Sequence, residues 1–387
     1  MLLREPASVP PSARDSRPDR LRRCCTTAAR RLTPADRRVL GLWGAAHLGL
    51  AVLAWMSTWI AGYRGPYAGL LGTYGQWDYD WYQTIAAHGY FSGQSLGTPE
   101  QAFLPGFPVI LAAVHLVVRN WVAAGLLVSL VAGAVAVVCI GRLGGERTAL
   151  YLLTAPAAMY LIVGYSEALF LALALPAWMA ARRRDWPLAG IGVALAGLVR
   201  VNGLFLAVAL LVAAATSERG QRLRSTAWAS IGLSGSAIYA GYLWAGTGSW
   251  TAWFTASRAG WGLHAVWPWA AWTDTWRKAF GNVMAPDRAA MFQLEIACIL
   301  GAWALTLVLL RRRAWAEATY CGLAAAVLAC TTYYQAVPRA LLIMWPLYIL
   351  IARAAEKRPW VGQIYLWVSA PLAVMVAIYF FLGKWAV

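Results

Sequence analysis

Long apolar runs recur from about residue 39 to the end of the chain, separated by short polar, arginine-rich breaks. Within the runs the apolar positions are continuous and do not alternate with polar ones. Continuous runs predict helices, whereas the strands of a membrane barrel would alternate. A helix needs roughly 20 such residues to cross a bilayer. Single crossings are expected at 39–61, 120–141, 226–246, 289–310 and 360–382. Paired crossings are expected within 148–181, 186–216 and 314–352, stretches of 34, 31 and 39 residues. The pattern predicts an all-α polytopic membrane protein with about eleven spans, in one domain over 39–387. No internal repeat is visible.

Composition points the same way. The chain of 387 residues is 60% hydrophobic and 13% charged, too apolar for a soluble domain of this size. The net charge of +17 would fit a nucleic-acid binder, but the basic residues cluster in the breaks between apolar runs. That is the distribution of loops held in the cytoplasm. The clusters are Arg142/Arg147, Arg182–Arg184, Arg219/Arg222/Arg224, Arg311–Arg313 and Arg353/Lys357/Arg358. Residues 1–38 add ten Arg and four acids among many Pro, Ser and Ala, and read as a disordered cytoplasmic tail. Its "RRCC" can be read as a lipidation site. The six Cys show no metal-type spacing and the four His are scattered, so no metal site is evident; a second carboxylate near Asp78 permits a divalent cation but does not require one.

Placing the basic clusters inside leaves 62–119 and 247–288 as external loops and the carboxyl terminus outside. A further full span at "FLPGFPVILAAVHLVV" (103–118) would put the later clusters outside. Its length and its Pro105 and Pro108 instead fit a juxtamembrane or re-entrant helix on the outer face. The second loop holds seven Trp, enough for an interfacial aromatic belt. The three paired stretches are barely long enough to go out and back. Their tips, "GYSEA" (164–168), "LVRVNG" (198–203) and "YYQAVPRA" (333–340), should lie at or below the outer surface. Each carries a charge: Glu167, Arg200 or Arg339. Charges at membrane depth are costly and tend to line a shared polar cavity; the plainer reading is an ion pair that only ties helices together.

This outer side offers carboxylates, cations and aromatic faces, and the sequence has neither a P-loop nor a dinucleotide fingerprint. A lipid-linked phosphate substrate suits it. Arginine binds phosphate oxygens in bidentate fashion. A carboxylate can take a proton from an acceptor hydroxyl while an arginine stabilises the departing phosphate.

"WDYDWYQTIAAHGY" (77–90) with "AFLPGFPVIL" (102–111) resembles the first-loop signature of the PIG-V family, the GPI mannosyltransferase II type. "APAAMYLIVGYSEALFLALAL" (155–175), "LAGLVRVNGLFL" (195–206) and "VPRALLIMWPLYIL" (337–350) are similar to its later elements, in the same order. "WFTASRAGWGLHAVWP" (253–268) resembles a loop of its bacterial members. Departures are Val201 after Arg200, Ala340 after Arg339 and "FLP" in the first loop; none removes a charge. The resemblance spans about residues 40–355. It implies the GT-C glycosyltransferase fold, a polyprenyl-phosphate-mannose donor and inversion at the anomeric carbon. A bacterial plasma membrane is the expected setting, with a glycolipid or cell-envelope glycan as acceptor. The alternatives are an enzyme of the protein O-mannosyltransferase kind and a lipid or polyprenyl-phosphate transporter without chemistry.

Asp78 occupies the W-D position of that resemblance and is the expected general base. Asp80, immediately before Trp81, suits an N-cap of the following helix or an acceptor contact. Arg200 and Arg339 are the donor-phosphate candidates. Glu167 is expected to orient an arginine or a sugar hydroxyl. Arg258 and His264 lie in the Trp-rich loop within reach of substrate. Trp77, Trp81 and Tyr82 anchor the first loop, with sugar stacking open to one of them.

Overall fold

A computed structural model describes residues 32–61, 69–91, 97–218 and 220–386. The tail through residue 31 with its "RRCC", part of the first expected loop, and Arg219 lie outside the described residues. Everything described is helix or connection, apart from one isolated bridge between Ala265 and Thr331.

Among the described residues, four helices are long and apolar enough to cross a membrane: α1 (Pro34–Ala61), α4 (Trp121–Gly144), α13 (Pro286–Arg311) and α17 (Pro359–Phe381). Between α1 and α4 lie α2 (Asp78–His88) and α3 (Gly106–His115). Then follow α5 (Glu146–Leu153), α6 (Ser166–Arg182), α7 (Trp186–Val199), α8 (Asn202–Ala215), α9 (Arg222–Ser230) and α10 (Ser234–Thr247). The second loop contains α11 (Ala252–Trp261) and α12 (Pro268–Phe280). After α13 come α14 (Trp315–Ala329), α15 (Val337–Leu342) and α16 (Pro346–Lys357).

The protein is a helical membrane protein by this pattern of long apolar helices. Several expected crossings are shorter or broken helices. The outgoing half of 148–181 is α5 followed by an irregular stretch through Tyr165, interrupted by Pro156 and by Gly164 at φ +79°. In 314–352 the return is split into α15 and α16, which carry Pro338 and Pro346 in their first turns. The segment 103–118 contains the ten-residue α3, about 15 Å long and too short to span. The first helix begins at Pro34, five residues before the expected boundary at 39, because Thr33 and Asp36 close a reciprocal cap on it.

The core lies between α4, α6, α7, α8, α13 and α14, which pack pairwise around it. The outer helices α1 and α17 expose Leu48, Trp55, Trp59, Trp367 and Val368, an apolar surface suited to lipid. Small residues let helices approach closely, as in membrane bundles generally. Trp43 of α1 lies over Gly133 of α4 and donates its indole N–H to the Leu130 carbonyl at 3.1 Å.

The basic clusters gather at one end. Arg142 is bidentate to Asp36, at 2.8 and 3.0 Å, and Arg38 pairs with Glu146. Arg182, Arg184, Arg312, Arg313 and Arg353 border one cavity. The 164–168 and 333–340 tips meet at the opposite end, with the α7–α8 break beside them.

A Cβ at Gly235 of α10 would sit 1.9 Å from the Ala194 carbonyl oxygen of α7, a backbone atom that cannot swing aside. Gly235→Ala is therefore expected to destabilise the protein by about 1–3 kcal/mol. A lower thermal midpoint in detergent checks this; an unchanged midpoint would refute the close approach.

Candidate functional site

The site is assembled from three chain breaks and one loop helix. Glu167 is in the first turn of α6, fully buried. Arg200 is the residue that ends α7 before α8 begins, its extended backbone breaking the helix there. Arg339 is in α15, whose start is built by another helix. Glu295 of α13, also fully buried, accepts the backbone N–H of Ala336 at 2.9 Å and of Val337 at 2.8 Å. These are among the N–H groups that a short helix leaves unpaired. Glu295 thus fixes the helix that presents Arg339.

The charges then close into a chain. Glu167 Oε1 accepts from Arg339 Nε at 2.7 Å and pairs with Arg200 Nη1 at 2.9 Å. Arg339 Nη1 donates to Asp78 Oδ2 at 2.6 Å. Arg200 Nη1 also donates to Ser166 Oγ at 2.8 Å, and Ser166 meets the Tyr82 hydroxyl at 3.0 Å. Two acids and two cations balance, as a buried cluster requires. The Arg339 guanidinium lies against two rings as well, 4.6 Å from the Tyr160 centroid and 4.9 Å from Tyr165. Its Nη2 has no hydrogen-bond partner among the described residues.

Asp78 stands on a wall between two clefts. One, of about 460 Å³, is lined by Asp78, Tyr160, Tyr165, Trp253, Gln335 and Arg339 among others. The second, of about 500 Å³, is lined by Gln76, Asp78, Asp80, Trp81 and Thr84. Trp77 and Trp261 border both. Trp77 has φ +57°, a left-handed conformation costing a large residue about 1–3 kcal/mol. It is held there from both sides. The Tyr165 hydroxyl donates to the Gln76 carbonyl at 2.6 Å, and Arg339 holds Asp78.

Asp80 does not cap the helix. α2 begins two residues earlier, at Asp78, with Trp77 in the cap position and no side-chain cap bond. Both aspartates are in the first turn, where the helix dipole favours carboxylates. Asp80 is exposed and lines the second cleft. Trp77 and Trp81 line the clefts, whereas Tyr82 is buried behind them, its ring packed on Phe103, Phe107 and Tyr165. Burial, reinforced by Glu167 and Asp78, pushes the Tyr82 phenol up to about 12, so it stays a protonated hydrogen-bonding group.

Of the two arginines, Arg339 lines a cleft. Arg200 borders neither cleft and lies behind Glu167. Arg258 is exposed on α11 and borders neither cleft, although its neighbour Ser257 lines the first. His264 is exposed too. It ties the second loop to the 331–333 segment, its N–H donating to Thr332 Oγ1 at 3.0 Å. Trp253 donates to the Ala102 carbonyl at 2.9 Å and so joins the two loops. Among the described residues, no three His, Cys, Asp or Glu gather as metal ligands.

The residues that the motif reading passed over are Tyr160, Tyr165, Ser166, Gln335 and Glu295. A signal for Glu295 was present, since it is an acid inside a long apolar run. Tyr160 and Tyr165 carried none, because aromatic residues are common throughout the chain.

Compared with models of known families, with curated proteins and with solved structures, the chain matches none.

Removing one partner from a buried ion cluster leaves uncompensated charge. Glu167→Gln, which leaves Arg200 and Arg339 facing each other, should cost about 3–5 kcal/mol. The double variant Glu167→Gln/Arg200→Gln should recover part of that loss. Unfolding midpoints of the two variants in one detergent decide it, and a double variant no more stable than the single one would contradict the pairing.

Proposed function

We propose that the protein is an inverting glycosyltransferase that moves a sugar from a polyprenyl-phosphate donor to a hydroxyl of a lipid-linked or cell-envelope glycan. The observation that carries this is the position of Asp78, bonded to a cleft-lining arginine and shared by two clefts. The first cleft suits the donor. Its arginine has an Nη2 to offer to a phosphate, and Tyr160, Tyr165 and Trp253 supply aromatic surface for a sugar. The second cleft, with Asp80 and Trp81, suits the acceptor.

In this reading the acceptor oxygen attacks the anomeric carbon from the Asp78 side. Asp78 Oδ1, which has no partner among the described residues, takes the hydroxyl proton, while Oδ2 stays on Arg339. The bond from the anomeric carbon to the phosphate oxygen breaks, and polyprenyl phosphate leaves with the electron pair. Arg339 meets the charge that grows on it. Arg200 acts one step back, sharing Glu167 and holding it in place. Glu167 orients Arg339.

Mannose as the sugar, the PIG-V-like GT-C architecture and about eleven crossings come from the resemblance and the charge pattern. So do the outward-facing site, the cytoplasmic amino terminus and the bacterial plasma membrane. The broken helices support a buried polar site within the bilayer's reach, since irregular backbone is tolerated there only around a cavity.

Purified protein with radiolabelled polyprenyl-phosphate-mannose and a membrane lipid extract should form a labelled lipid or glycan product. Asp78→Asn should lower transfer by about 10²–10⁴-fold, the usual contribution of a general base. A folded Asp78→Asn protein with full transfer would remove Asp78 from that role.

A further inference from the structure

A cavity of about 670 Å³ is at the basic end, opposite the proposed site. Its inner wall is apolar, with Trp178, Trp345, Ile349 and Leu350. Its rim carries Arg182, Arg184, Arg312, Arg313 and Arg353, against one acid, Glu317. Arg184 pairs with Glu218 at 2.8 Å. The other four arginines have no ion pair with a described residue.

Two of the rim segments are copies of one turn. "RRRDW" (182–186) joins α6 to α7, and "RRRAW" (311–315) joins α13 to α14. The second arginines match, Arg183 at φ −91°, ψ 4° and Arg312 at φ −85°, ψ 1°. The third arginines are both left-handed, Arg184 at φ 63° and Arg313 at φ 56°. The next residues match again, Asp185 at φ −84°, ψ 73° and Ala314 at φ −84°, ψ 67°. Each turn closes with the same pair of bonds. Arg184 N–H reaches Ala181 and Asp185 N–H reaches Ala180; Arg313 N–H reaches Leu310 and Ala314 N–H reaches Leu309.

In this helix ending the left-handed position normally belongs to glycine, which adopts it without strain. A cytoplasmic loop needs basic residues somewhere, but not at its strained position. Both turns nevertheless hold arginine there, and both arginines face the same cavity. Trp186 adds a buried aromatic ring to the same cavity wall.

We infer that this cleft binds the phosphodiester headgroup of an anionic glycerophospholipid from the leaflet at the basic end. The two left-handed arginines and Arg182, Arg312 and Arg353 meet the phosphate, and the acyl chains lie along the apolar wall. Arginine forks suit phosphate oxygens, and basic pockets between membrane helices suit anionic headgroups. The inference does not depend on the proposed sugar transfer, and its test measures no activity.

The full chain in neutral detergent is titrated with dioleoyl phosphatidylglycerol, dioleoyl phosphatidylcholine and soluble glycerol phosphate. Thermal midpoints and lipid adducts in native mass spectrometry are read. Phosphatidylglycerol should raise the midpoint and remain bound; the other two should not. Arg184→Gly/Arg313→Gly should raise the midpoint without lipid, by relieving both turns. It should also weaken phosphatidylglycerol binding at least about tenfold. Arg182→Gln/Arg353→Gln, which leaves the turns intact, should weaken binding as well. An equal response to phosphatidylcholine, a response to glycerol phosphate alone, or undiminished lipid binding by the variants would overturn the inference. So would a glycine variant with no gain in lipid-free midpoint.

Discussion

One carboxylate oxygen, Glu167 Oε1, holds two guanidinium groups from two different chain breaks. The carboxylate is fully buried, so water does little to weaken the attraction and little to compensate its loss. Through it, α6, the α7–α8 break and α15 share one point, and Arg339 extends the connection to α2. The position of Asp78 follows from this. The first loop is fastened to the helices by ionic contact at Asp78 and by the Tyr165–Gln76 bond beside it, and the two clefts take their common wall from that fastening.

The helices give up length to make the cluster possible. A full-length helix satisfies its own backbone and offers only side chains along its flank. The breaks at 154–165, at Arg200 and at 330–336 bring backbone ends and charged side chains to one depth. Each break has to satisfy the backbone groups it frees. Glu295 does so for α15; from the 154–165 break, the Tyr160 and Tyr165 hydroxyls donate outward to the Ala386 and Gln76 carbonyls and tie those segments to it.

Much of this arrangement could be read from the sequence, and the limits have physical causes. Continuous apolar runs identify the helices, and the arginine spacing collects the loops at two ends, because both effects act along the chain. The charges at the tips stand out because charge is rare in this composition. The meeting of Glu167 with both arginines is a contact across 33 and 172 positions, and no local pattern encodes it. The start of α2 was misplaced for a related reason. A helix signal weighs Asp80 as a cap, but the tertiary hold on Gln76 and Asp78 forces Trp77 into the cap position. Tyr160, Tyr165 and Gln335 were invisible as site residues, since aromatic and amide side chains acquire their role only from what they face. Glu295 was legible in principle, as the one acid within the apolar run 289–310.

Helix α13 has a further consequence. It ends in the arginine turn at the basic end, and Glu295, which carries α15, is sixteen positions earlier on the same helix. At the rise of an α-helix the separation is about 24 Å. A single stiff rod therefore has the strained turn at one tip and the mount of Arg339 along its shaft. A tilt or axial shift of α13 as a rigid body would move the mount of Arg339 together with the arginine turn. Mechanically, the basic end and the buried ion cluster are joined by one lever.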